Sequence, residues 1–60
     1  MLSSKDCRDN AAQCVALGNE AATVEEQNLF FDMARNWTEL AERLERRAEL
    51  QAQLQNAGVH

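Results

Sequence analysis

The chain contains no proline and only two glycines, Gly18 and Gly58, among 60 residues. With those breakers almost missing and Ala, Leu, Glu, Gln and Arg dominant, the composition favours helix nearly everywhere and predicts an all-α protein. It also lacks any run approaching the roughly 18 consecutive apolar residues of a membrane span. The start, Met1-Leu2-Ser3-Ser4-Lys5-Asp6, lacks the apolar stretch of a secretory signal, so the expected setting is cytoplasmic, with no membrane association. An excess of cations is missing too: net charge is −4, with two cations against three acids in residues 1–22 and four against seven in residues 23–60. Neither half offers the basic surface that a phosphate backbone requires, which disfavours nucleic acid as a partner, including RNA binding by a dimer of helical hairpins.

Catalytic equipment is equally sparse. There is no Gly-rich phosphate loop, no nucleotide fingerprint, and no serine or cysteine nucleophile with a central histidine, since the single histidine is His60 at the terminus. The carboxylates Glu39, Glu42, Glu45 and Glu49 are interleaved with arginines on what reads as a solvated face, with nothing to shift their pKa. The expectation is a protein that is not an enzyme and needs no cofactor or metal.

Of the 27 hydrophobic residues, ten are alanine and two are cysteine, leaving fifteen larger side chains for a core. Sixty residues make one domain near the lower limit of independent folding. Ser3 with Asp6 has the spacing of a capping box, and Thr23 with Glu26 repeats it. These signals predict helix 1 over about residues 4–22, a turn near 23, and helix 2 over about 24–56, with Asn56-Ala57-Gly58 as its stop. The competing break at Gly18-Asn19 would leave Ala21 and Ala22 without a register and waste the second box.

A short connection forces the helices antiparallel, and their lengths differ by about a factor of two. On helix 1, Cys7, Ala11, Cys14, Leu17, Gly18 and Ala21 share one face of small residues. On helix 2 a stripe of bulky residues recurs with a heptad-like spacing: Phe30, Met33, Trp37, Leu40 and Leu44, continued by Arg47, Gln51 and Leu54, with Ala34, Ala41 and Ala48 beside it. The expected hairpin core is Cys7, Ala11, Cys14 and Leu17 beneath Phe30, Met33, Trp37 and Leu40. Helix 1 should cover helix 2 to about Ala41, so that Leu44 and everything after it overhangs. The pairs Glu39 with Arg43 and Glu42 with Arg46 have the acid-first spacing that keeps such an overhang helical.

Phe31 points about 100° away from Phe30, off the expected seam, and is read as meeting another chain rather than wrapping the edge of helix 1. With Arg43, Leu44, Arg47, Leu50, Gln51 and Leu54 it makes up the expected partner interface. Cys7 and Cys14, seven residues apart on one helix, are about 10 Å apart along its axis, too far to form a disulfide with each other. They read as apolar fillers; an intermolecular disulfide or a shared soft metal is the alternative.

The segment from Cys14 to Glu45 resembles a group of small uncharacterised two-helix proteins of alphaproteobacteria, especially rhizobia. The residues carrying the resemblance are Cys14-Val15-Ala16-Leu17-Gly18, Ala21, Thr23-Val24-Glu25, Met33-Ala34, Trp37, Leu40-Ala41 and Glu42. Such proteins usually have alanine where Gly18 stands and proline where Val24 stands. The resemblance implies a helical hairpin in a bacterial cytoplasm and carries no activity with it. The function expected from the residues is a protein–protein interaction or assembly module. Its partner is either itself, as a coiled-coil-like four-helix bundle, or a larger protein; a cysteine-based redox or metal-binding regulator is the alternative.

Overall fold

The computed structural model describes residues 2–58, with side chains through Gln55. Two helices, α1 (Ser4–Glu20) and α2 (Val24–Gly58), pack side by side, and no strand occurs among the described residues. They run antiparallel, since Arg8 near the start of α1 reaches Glu45 while Gly18 near its end meets Phe31. The result is a narrow hairpin of 58 × 15 × 14 Å.

Local chemistry explains where each helix begins. Asp6 N–H donates to Ser3 Oγ and Ser3 N–H donates to Asp6 Oδ2, both at 3.1 Å, which satisfies two backbone donors reciprocally. Glu26 N–H donates to Thr23 Oγ1 at 3.1 Å and opens α2, whose first turn carries Glu25 and Glu26 at the positive end of the helix dipole. Between the helices the chain extends at Ala21 (φ −63°, ψ 141°), whose N–H still reaches Gly18 O at 3.2 Å. No described residue has a positive φ, so Gly18 is not used as a left-handed cap and α1 runs straight through it.

The buried positions of the seam between the helices are small residues on both sides. Cys7, Ala11, Cys14 and Gly18 are buried on α1, and Ala34 and Ala41 on α2. Ser4 and Ala21 extend the α1 register, half-buried, and Gln27, Phe31, Thr38 and Glu45 do the same for α2. Both sets alternate steps of three and four, the spacing that holds one face of a helix against a neighbour. Thr38 keeps its hydroxyl satisfied there by donating to Ala34 O at 2.9 Å.

This differs from the expected packing of bulky over small. Leu17 and Met33, assigned to the core from the sequence, stand 48% and 40% exposed, while Phe30, Trp37 and Leu40 are half-buried. Small against small lets the two backbones approach closely, and bulky side chains then fit only along the flank. Trp37 does so, lying against the cluster of Ala11, Cys14 and Ala34.

Phe31, expected off the seam, lies in it. Its ring covers Gly18 so tightly that a Cβ at residue 18 would stand 2.5 Å from Phe31 Cε1. Glycine is required here for close approach rather than for backbone conformation. Coverage of α2 also reaches further than expected: Leu44 and Glu45 are half-buried, and the fully exposed stretch begins at Arg46. The reason is the connection. Because Ala21–Thr23 is not helical, the first turn of α2 stands beside the linker, with Val24 70% exposed, and α1 is displaced toward the far end of α2.

Candidate interaction face

The α2 seam residues Phe31, Ala34, Thr38, Ala41 and Glu45 are each preceded by a residue of the bulky stripe: Phe30, Met33, Trp37, Leu40 and Leu44. One residue is about 100° of turn, so the stripe is the seam register rotated onto one flank. The residues that follow the seam members are Asp32, Arg35, Glu39, Glu42 and Arg46, all charged. Helix α2 is therefore three-sided: a side against α1 whose buried members are alanines, a bulky apolar side, and a charged side.

The two flanks are distinguished on α1 as well. Arg8, which follows the seam residue Cys7, donates from Nε to Glu45 Oε2 at 2.8 Å and from Nη2 to Glu45 Oε1 at 2.7 Å. Glu42, one residue past the seam member Ala41, lies by the same offset on this charged flank and adds its charge to that around Arg8. Leu17, which precedes the seam residue Gly18, falls on the opposite flank beside the bulky stripe. Leu29, 59% exposed and four residues before Met33, lies at the stripe's outer edge; sequence reasoning overlooked it because it belongs to neither seam. The face that emerges is Leu17, Phe30, Met33, Trp37, Leu40 and Leu44.

The expected interface residues fall into three groups. Phe31 is engaged within the hairpin on Gly18. Leu44 belongs to the half-buried end of the stripe. Arg43, Arg47, Leu50, Gln51 and Leu54 are exposed, with Leu54 70% accessible, and Arg47, Gln51 and Leu54 continue the stripe's three-and-four spacing along the overhang.

Glu45 is not the unperturbed carboxylate expected from its neighbours in sequence. The paired hydrogen bonds from Arg8 hold its carboxyl below the ordinary value, and the partner's positive charge acts in the same direction. The pair remains substantially in water, so it orients the helices more than it stabilises them.

Cys7 and Cys14 are free thiols buried in the α1–α2 seam. Among the described residues no three His, Cys, Asp or Glu side chains converge to hold a metal ion, and no cavity opens. His60 lies outside the described residues. No helix is long and apolar enough to cross a membrane among the described residues. Compared with known protein families, curated proteins and solved structures, the chain matches none.

Proposed function

We propose that this protein is a non-enzymatic interaction module whose bulky face docks onto another helical surface, in a self-associated four-helix bundle or on a larger protein. The observation that carries the reading is the second seam. A helix with one three-and-four register filled by α1 and another, bulkier one only partly covered is patterned for two helical neighbours. Exposed apolar residues scattered singly need no explanation, but here the exposed Leu17 and Met33 share one flank with the half-buried Phe30, Trp37, Leu40 and Leu44. A cytoplasmic setting, expected from the sequence, is part of the same proposal. The kinship with alphaproteobacterial two-helix proteins is a proposal of the same kind. Burial of Cys7 and Cys14 between the helices favours packing over a redox or metal role.

Co-purification from the source cell with three baits tests the docking face: the wild type, Met33→Glu on the bulky flank, and Val15→Glu on the charged flank. Both substituted positions are similarly exposed, at 40% and 43%. Associated chains that are lost with Met33→Glu and kept with Val15→Glu support the reading. Identical sets from all three baits would overturn it.

A further inference from the structure

The occupant of the bulky face can be argued from the charges at its ends. Extended by the same spacing, the stripe runs Glu26, Phe30, Met33, Trp37, Leu40, Leu44, Arg47, with an acid at one end and a cation at the other. Both end residues are exposed, and neither forms a salt bridge among the described residues. Turned end for end, this pattern complements itself. If Trp37 meets Trp37 of a second chain, Met33 falls opposite Leu40, Phe30 opposite Leu44, and Glu26 opposite Arg47, each contact occurring twice by symmetry. Along α2, residues 24–34 carry Glu25, Glu26 and Asp32 without a cation. Arg43, Arg46 and Arg47 lie further on, interleaved with Glu39, Glu42, Glu45 and Glu49, so the complementarity lies in the stripe's own end residues. A parallel pairing would instead set Glu26 against Glu26 and Arg47 against Arg47.

We propose that the bulky face is occupied by a second copy of this chain, its α2 antiparallel to the first about a two-fold axis at Trp37. Reciprocal Glu26–Arg47 pairs close the two ends. This rests on the docking reading above and gives it a partner and a register. The apolar residues supply the affinity; the end charges select the antiparallel orientation.

Charge exchange tests it, read by sedimentation equilibrium of the purified chain together with emission from Trp37, the only tryptophan. Glu26→Lys and Arg47→Glu should each weaken self-association roughly tenfold or more, since each places two like-charge contacts in the dimer. An equimolar mixture of the two variants should restore association, because both contacts become opposite in sign, and so should the double variant alone. Glu25→Lys carries the same penalty at the helix N-terminus but lies off the stripe, and should associate like the wild type. A helical wild type that stays monomeric at several hundred micromolar would overturn the second-copy assignment while leaving the docking reading to the co-purification result. Self-association without rescue in the mixture would overturn the register.

Discussion

At the residue scale, Gly18 and Phe31 form the tightest feature of the hairpin. Gly18→Ala gains about 1 kcal/mol of helix propensity and loses roughly 1–3 kcal/mol by pushing a Cβ into the ring. The expected net effect is destabilisation of about 1 kcal/mol, measured by urea unfolding of the helical circular dichroism. Shortening the ring with Phe31→Leu should reverse the sign, making Gly18→Ala stabilising in that background. A stabilising single Gly18→Ala would show that the ring yields freely.

The Arg8–Glu45 pair makes a second residue-scale prediction. Glu45 titrates below its unfolded value in the folded state, because Arg8 hydrogen-bonds its charged form. The unfolded chain therefore binds more protons between the two values, so this contribution is present above the unfolded pKa and disappears as pH falls through the folded one. Subtracting the pH profile of unfolding midpoints of Arg8→Met from that of the wild type should leave a difference confined to that acidic window. A difference that stays constant with pH would assign Arg8 a packing role alone. The expectation that Glu45 stood free in solvent failed because its partner is 37 residues away in sequence.

At the element scale, the question is which register of α2 faces α1. Ala41 is fully buried and Met33 is 40% exposed, although the sequence pattern marks Met33 as the core residue. Ala41→Leu should cost roughly 1–3 kcal/mol by forcing the helices apart, whereas Met33→Gln in the monomer should cost under about 1 kcal/mol. Urea unfolding at low concentration compares them directly, and the reverse order would restore the bulky stripe to the hairpin core. The helix starts were legible because capping is local: Ser3 with Asp6, and Thr23 with Glu26, act within four residues. The choice of register was not, since it depends on how closely two distant segments approach.

At the scale of the whole molecule, the hairpin is a rod with a half-covered shaft. Residues Arg46 to Gln55 are exposed in the single chain, so their amides should exchange with solvent well ahead of those near Ala34 and Ala41. Equal protection along α2 at low concentration would mean that the overhang is covered by something other than α1. Under the antiparallel assignment, doubling the mass barely lengthens the particle. Centring two α2 helices on Trp37 gives about 65 Å at 1.5 Å per residue, against 58 Å for the single hairpin. X-ray scattering across a dilution series should therefore show the cross-section growing while the maximum dimension changes little. An end-to-end arrangement would nearly double that dimension.

The amino-acid sequence alone determined that the chain is helical, where each helix starts, and that α2 carries a bulky three-and-four stripe with alanines beside it. These follow from local propensity, capping and periodicity, which act within one or two turns. Only the tertiary structure decided how the registers are used. Cys7, Ala11, Cys14 and Gly18 meet Ala34 and Ala41 because contact between small residues allows the shortest distance between backbones, and that distance leaves Phe30, Met33, Trp37, Leu40 and Leu44 along a flank. Periodicity marks the bulky stripe; the volumes that must fit between the helices determine that the small residues beside it are the ones buried.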